Sequence, residues 1–148
     1  MNDRAKPESR SAFPCFYAMT TRWSDNDAYR HVSNVVYLTY FDSAVCRYLI
    51  EHQVLDVASS QIIGLVAETN CRYFTEISFP SAVNVGLRIG HQGHSSIRYE
   101  IGLFRDDDDI ACAQGFLVHV YVDRRSRRPV QIPAELSRAV AQLQMSRI

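Results

Sequence analysis

The sequence has no excess of either charge and almost no lysine. Its 148 residues carry 16 basic and 16 acidic side chains, and Lys6 is the only lysine, so the positive charge is nearly all arginine. A chain without a strong basic field does not attract nucleic acid in bulk, which argues against nucleic acid as a partner. Arginine suits phosphate and carboxylate recognition, although a GC-rich coding sequence would explain the same bias.

Cysteine and long hydrophobic runs are also scarce. The four cysteines lie far apart, without CxxC spacing and each in an apolar run, which predicts buried free thiols in a reducing compartment and no metal site. No run approaches the roughly 18 apolar residues of a membrane-spanning helix, and the first fourteen residues lack a signal-peptide core. We therefore predict a cytoplasmic protein with no membrane partner. The cysteines are Cys15, Cys46, Cys71 and Cys112.

The hydrophobic period changes once along the chain, and this change predicts the fold. Residues 1–11 are polar and predict a disordered tail, and residues 12–148 are long enough for a single domain. A strand, a long helix ending near His52, four alternating strands and a short helix after Pro133 predict an α+β fold. In this fold one curved antiparallel sheet wraps around the long helix.

In the last strand one face is predicted to carry Ile110, Cys112, Phe116, Val118, Val120 and Val122.

A polar turn directly precedes the long helix. It holds Asp25, Asp27 and His31, and Ser33 or Asn34 is placed to cap the helix. The start of a helix offers unpaired N–H groups and partial positive charge. A carboxylate beside such amides can supply both an attacking base and an oxyanion site.

The stretch at 22–37 reads RWSDNDAYRHVSNVVY and resembles the opening signature of hot-dog-fold acyl-CoA thioesterases of the 4-hydroxybenzoyl-CoA thioesterase type. Later pieces around Phe79, the 93–96 turn and Pro129 follow in the family's order, so the resemblance covers about residues 14–135. Two positions depart from the pattern. Arg30 replaces a glycine, which at a turn often serves a positive φ, and Ser33 replaces an asparagine.

This resemblance implies a fold, a reaction and an assembly. It implies a hot-dog fold, hydrolysis of acyl-CoA by a carboxylate, and no metal or redox cofactor. It also implies a homodimer or homotetramer whose active sites lie at the dimer interface, with acyl-CoA as the partner of the site.

The resemblance assigns the reacting groups to the turn and the helix start. Asp27 matches the catalytic aspartate, acting as nucleophile or as general base; the alternative is that Asp27 only caps a turn. The backbone N–H of Asn34 is the expected oxyanion donor, and His31 could bond the carboxylate or orient water. Asp42, on the helix, is a rival carboxylate, and Asp25 is expected to be structural.

Substrate binding is predicted in two regions. The first is an acyl pocket on the helix, whose alternative is plain core, and the second is the turn at 93–96, which could contact coenzyme A. Arginines at 88, 98, 124 and 128 could pair with phosphates, or could be ordinary surface residues. The predicted substrate-binding residues are Tyr37, Tyr40, Phe41, Gly93, His94, Ser95 and Ser96.

Two other functions remain open on the sequence alone. The enzyme could act on acyl-carrier protein, which would need a basic docking patch such as the arginines at 124–128. The departures at Arg30 and Ser33 also leave room for a module that binds acyl-CoA without turnover.

Overall fold

A computed structural model describes residues 5–145. Two helices and five strands are joined by short turns, with single 3-10 turns at Arg10–Ala12 and Trp23–Asp25. The strands form one antiparallel sheet in the order β1-β3-β4-β5-β2, which confirms the predicted α+β fold. The elements are β1 Cys15–Thr20, α1 Asn34–Glu51, β2 Ile62–Tyr73, β3 Ala82–Gln92, β4 Ser96–Arg105, β5 Ala113–Asp123 and α2 Ala134–Ala141.

Helix α1 crosses one face of the sheet and forms the centre of the core. Ser33 is its N-cap residue with extended backbone and no side-chain cap bond, and His52 ends it, as the spacing predicts. The apolar positions three and four apart turn one face of the helix to the sheet, so they are the positions that lose contact with water. They are Tyr37, Tyr40, Phe41, Ala44, Val45, Tyr48 and Leu49, all buried.

The face of the last strand that meets α1 differs from the apolar series in the sequence. Leu117, His119 and Tyr121 are buried on the helix side, and register places Leu117 and His119 opposite the fully buried Tyr99 and Ile97. Residues 116, 118 and 120 are only half-buried and lie on the outer face. Both faces of this strand are apolar, so alternation alone could not choose between them.

The outer face of the sheet is covered by residues 8–13, of which 8–11 were expected to belong to a disordered tail. Phe13 sits in a notch left by two glycines, because a Cβ at Gly86 or at Gly102 would come within 2.8 Å of its ring. The carboxylate of Glu8 forms bonds of 2.7 and 2.8 Å to the guanidinium of Arg88. The chain is therefore packed from Glu8 onward, and residues 1–4 of the expected tail lie outside the described residues.

Strand β2 is an edge strand that β5 holds on one side. Most of its residues are exposed, in contrast to the central strands. A Cβ at Gly115 would fall 1.8 Å from the carbonyl oxygen of Asn70, so only glycine lets β5 approach β2 this closely. An edge of this length presents a row of unpaired N–H and C=O groups. None of the helices within residues 5–145 has the length and hydrophobicity needed to cross a membrane.

Candidate active site at the start of helix α1

Asp25 fixes the turn that precedes α1. Its side chain is 2% exposed and accepts the backbone N–H of Arg22 at 2.7 Å and an N–H of the Arg22 guanidinium at 2.9 Å. Its own carbonyl accepts the N–H of Ser33 at 2.8 Å, which ties the turn to the helix start. Burial raises the pKa of this carboxyl, but the bonds from Arg22 outweigh burial and leave the pKa below its usual value. Asp25 is therefore an ionised structural anchor.

Asp27 lies at the exposed head of this turn. Its Oδ1 accepts the N–H of Tyr29 at 2.8 Å, and its carbonyl accepts the N–H of Arg30 at 3.0 Å, so the residue closes its own turn. Among residues 5–145, no group donates to Oδ2. The two readings of Asp27 are thus compatible, because one carboxylate oxygen holds the turn while the other can act on a substrate.

Arg30 retains the backbone conformation that the family's glycine would adopt. Its φ is +67°, in the left-handed region that a side chain disfavours. The carbonyl of Arg30 accepts the hydroxyl of Ser78 at 2.9 Å, which holds the residue in this conformation. The turn therefore has the positive φ that a glycine at this position suggests, and the residue that adopts it is an exposed, strained arginine beside Asp27.

The first turn of α1 supplies a free amide next to Asp27. Within the described part of the chain, the Asn34 N–H donates to no protein acceptor. The Tyr73 hydroxyl donates to the Asn34 carbonyl at 3.4 Å, and its ring packs edge-on against Tyr37 with centroids 4.9 Å apart. Burial raises the pKa of both tyrosines to about 12, so their hydroxyls stay protonated. The helix start is thereby fixed against β2.

These groups share one open cavity of about 340 Å³. His31 lines it too, but its Nε2 lies 2.9 Å from the carboxylate of Glu76 instead of bonding Asp27. Sequence reasoning gave no role to Glu76, which sits on the loop after β2 and carries no motif of its own. The cavity is lined by Asp27, His31, Val32, Asn34, Tyr37, Tyr73, Phe74, Thr75 and Glu76.

Several predicted substrate-binding residues lie elsewhere in the chain. Tyr40 is buried and directs its hydroxyl to Asp25 at 3.4 Å, and Phe41 is fully buried in the core. Their positions agree with the plain-core alternative, so of the three helix aromatics only Tyr37 lines the cavity.

The turn at 93–96 lies at the far end of the sheet from Asp27. Ser96 begins β4 opposite Val120, whereas the other end of β4 reaches Ala113, which pairs with Tyr73 beside the Asp27 cavity. The turn instead packs on the C-terminal segment, where the His94 carbonyl accepts the N–H of Ile132 at 2.9 Å. Gly93, His94, Ser95 and Ser96 therefore do not meet Asp27 within one chain.

The candidate phosphate arginines differ in what they already bind. Arg88 is taken up by Glu8 and Glu100. Arg124 donates to the carbonyls of residues 57 and 60, and Arg98 stacks over a phenylalanine ring at 3.7 Å. Arg128 is exposed in the turn after β5.

Asp42 is not part of the Asp27 cavity. It lines a separate, larger cavity farther along α1. Within residues 5–145 no three histidine, cysteine or carboxylate side chains converge in a way that could hold a metal ion.

Comparison with known proteins places this geometry in a family. Residues 21–140 match the thioesterase-like superfamily. The crystal structure of the PA5185 protein from Pseudomonas aeruginosa is 47% identical, covers 95% of this chain and 98% of that one, and superposes with a TM-score of 0.91. Slr0204, a 1,4-dihydroxy-2-naphthoyl-CoA thioesterase from Synechocystis, shares the fold at 14% identity, with 86% and 96% coverage and a TM-score of 0.78. No curated protein matches the chain.

The matched region includes the turn that holds Asp25 and Asp27, all of α1, and α2 up to its last residue but one. The chain therefore belongs to the thioesterase-like superfamily, and its sheet wrapped around α1 is the hot-dog fold.

Proposed function

We propose that the protein hydrolyses acyl-CoA thioesters, with Asp27 as the reacting carboxylate. One observation carries the proposal: Asp27 has one carboxylate oxygen fixed by the Tyr29 amide and the other open to the cavity that also holds the start of α1. Membership of the superfamily supports thioester hydrolysis. The resemblance of the 22–37 stretch to 4-hydroxybenzoyl-CoA thioesterases extends this to coenzyme A as the carrier.

The reaction needs a base or nucleophile and a donor for the oxyanion. In the proposed reaction the thioester carbonyl points to the free Asn34 N–H, where the developing negative charge meets an amide and the positive end of the helix. The open oxygen of Asp27 then attacks the carbonyl carbon, or removes a proton from an attacking water. The coenzyme A thiolate leaves in both cases. After attack by Asp27, water hydrolyses the resulting anhydride and frees the carboxylate; after attack by water, loss of the thiolate gives the free acid directly.

We also propose that two copies pair through their β2 edges and that each completes the other's site. An open strand of 12 residues can pair with a second copy and so satisfy its free backbone groups. Antiparallel pairing would bring the Ile62 end of one β2 alongside the Tyr73 end of the other. The partner's turn at 93–96, which is remote from Asp27 in its own chain, would then approach this catalytic turn. From that position the turn could contact coenzyme A bound at the partner's site, which is the role predicted for it from the sequence.

Free-thiol release from a panel of acyl-CoAs tests the proposal. The panel contains short, long, branched and aromatic acyl groups, and the control is Asp27→Asn, which keeps the oxygen that accepts from Tyr29. We expect turnover of at least one substrate by the wild type and its loss in the variant. Turnover that survives in a folded Asp27→Asn protein would contradict the assigned role.

The acyl-carrier-protein alternative has one observation in its favour, the exposed arginines at 125, 127 and 128 in the turn after β5. Offering the same acyl group on both carriers separates the two substrates. Faster release from the carrier protein would favour the alternative, and binding of acyl-CoA without turnover of either would favour a binding module.

A further inference from the structure

A second cavity, of about 500 Å³, lies between the C-terminal half of α1 and the strands β2 and β5. The loop that joins α1 to β2 closes one side of it. Its walls are mainly apolar, and eight polar or ionisable side chains interrupt them: Asp42, Cys46, Ser60, Gln61, His119, Tyr121, Arg124 and Glu135. The apolar walls are formed chiefly by Leu49, Val54, Leu55, Val57, Ile62 and Leu136.

Two buried tyrosines connect to His119 in a chain of hydrogen bonds. The hydroxyls of Tyr99 and Tyr121 are 2.6 Å apart, and the Tyr121 hydroxyl is 3.2 Å from Nδ1 of His119. The exposed fractions of Tyr99, Tyr121 and His119 are 0%, 3% and 4%. Gly64 makes room for this cluster, because a Cβ there would fall 2.7 Å from that Nδ1.

The number of available protons determines which group donates and which accepts in each of these hydrogen bonds. Within residues 5–145 the Tyr99 hydroxyl has only the Tyr121 hydroxyl as a partner, so its proton is used only if Tyr99 donates to Tyr121. Tyr121 then donates to Nδ1 of His119, which must be the unprotonated nitrogen. A neutral imidazole carries its proton on the other nitrogen, so Nε2 is an N–H donor.

His119 is neutral and its Nε2 faces the cavity. Burial lowers the pKa of His119 to about 4, although the charge of Asp42 acts in the opposite direction. In the described part of the chain, Nε2 has no hydrogen-bond partner. Every fully buried side-chain nitrogen or oxygen there does have a partner, so Nε2 must retain some exposed surface. Nε2 is therefore reached from the cavity that His119 lines, and it offers one donor in apolar surroundings.

We infer that this cavity binds the distal part of the acyl group and that His119 selects acyl groups bearing a neutral oxygen there, a hydroxyl or a keto group. The inference rests on the proposed function for the identity of the substrate. A ligand oxygen that accepts from Nε2 satisfies a donor that a plain hydrocarbon would leave unpaired, which costs free energy in a dry site. The lining carries two carboxylates, Asp42 and Glu135, against one guanidinium, Arg124, which already donates to the carbonyls of residues 57 and 60. This balance of charge disfavours an acyl group ending in a second carboxylate.

The cavity is placed to receive the end of a substrate held at the helix start. Both cavities border α1 and β2: Asn34 and Tyr73 line the first, and Asp42 and Gly64 line the second. Eight residues of α1 separate Asn34 from Asp42, which is about 12 Å of helix. Only an acyl group several bonds long spans this distance.

Matched acyl-CoA series test the inference. Hexanoyl, octanoyl and decanoyl-CoA are compared with their terminally hydroxylated, terminal methyl ketone and terminally carboxylated counterparts, on wild type, His119→Leu and His119→Gln. Hydrolysis is followed by thiol release, and binding by calorimetry on Asp27→Asn carrying the same changes at His119. At the best chain length we expect about tenfold higher kcat/KM for the hydroxylated or keto form than for the unsubstituted form.

The variants decide whether His119 causes this preference. His119→Leu should remove the preference, measured as the ratio of kcat/KM for the oxygenated and unsubstituted substrates within each variant. His119→Gln, which keeps an N–H donor, should restore part of that ratio. Hydrolysis with no preference for the oxygenated forms overturns the inference and leaves the proposed function standing. If nothing is hydrolysed, the proposed function fails and calorimetry decides. Tighter binding of the oxygenated forms that depends on His119 supports the inference, and equal or absent binding overturns it.

Discussion

The structural and catalytic roles of Asp27 can be distinguished by comparing two substitutions. Its Oδ1 accepts the N–H of Tyr29 at 2.8 Å, while its second oxygen is open to the cavity. Asp27→Asn keeps an oxygen for Tyr29 and removes the carboxylate, whereas Asp27→Ala removes both. The two variants should therefore agree in activity and differ in stability.

The magnitudes follow from these contacts. Removing a general base costs about 10² to 10⁴ in kcat, or roughly 3–5 kcal/mol of transition-state stabilisation, and both variants should lose this amount. The hydrogen bond to Tyr29 is exposed, so its loss in Asp27→Ala should lower the free energy of unfolding by about 0.5–1 kcal/mol. Asp27→Asn should remain within about 0.5 kcal/mol of wild type.

Thiol release measures the activity, and urea denaturation measures the stability. Asp27→Asn retaining more than a tenth of the wild-type kcat would refute the catalytic role. Equal loss of stability in both variants would refute the claim that the bond from the Tyr29 N–H to Asp27 stabilises the turn. Either result would be informative alone, because the two assays report on different oxygens of one carboxylate.

Three further predictions concern the turn and the sheet. Arg30→Gly should relieve the positive φ, raise the free energy of unfolding by about 0.5–1 kcal/mol and change turnover little; a lower melting temperature would contradict this. Gly115→Ala should cost about 3 kcal/mol or more in chemical denaturation, because its Cβ would meet the Asn70 carbonyl; a near-neutral result would mean that β2 can move away freely. Asp25 has a lowered pKa in the folded state, so the stability it contributes is present above about pH 4 and is lost as the pH falls further. The stability difference between wild type and Asp25→Asn should therefore shrink in acid denaturation series, and a constant difference would count against the Arg22 pairing.

The sequence predicted the backbone elements well because each depends on local patterning. The apolar spacing from Val36 to Leu49 needs only one helix face to be buried, and the structure has α1 in that place. The glycine that Arg30 replaces suggested a positive φ, which the structure confirms. Such features are determined within a few residues, so a single sequence carries them.

The features that the sequence missed depend on distant segments. Both faces of β5 are apolar, so alternation along the strand does not indicate which face meets α1. His119 drew no attention because its partners Tyr99 and Tyr121 come together only through the register of β4 and β5. A lone histidine on the buried face of a strand, two residues from the tyrosine that pairs with Gly64, is the signal that could have found this cluster once the pairing was known.

The predicted site residues also differ according to how close they lie in the sequence. Asp27, His31 and Asn34 lie within eight residues, and the structure brings them to one cavity. The turn at 93–96 was assigned to the same site by resemblance, and in one chain it lies at the other end of the sheet. That assignment stays a prediction, since it depends on pairing with a second copy.

The packing of the N-terminal segment has a consequence for how the chain folds during synthesis. Glu8 bonds Arg88, 80 residues later, and Arg10 bonds the Asp108 carbonyl, 98 residues later. Phe13 closes on glycines from β3 and β4, which leave the ribosome long after it does. Residues 8–13 therefore cannot pack until most of the chain has emerged, and the Phe13 ring stays exposed until then. Such delayed long-range closure slows folding.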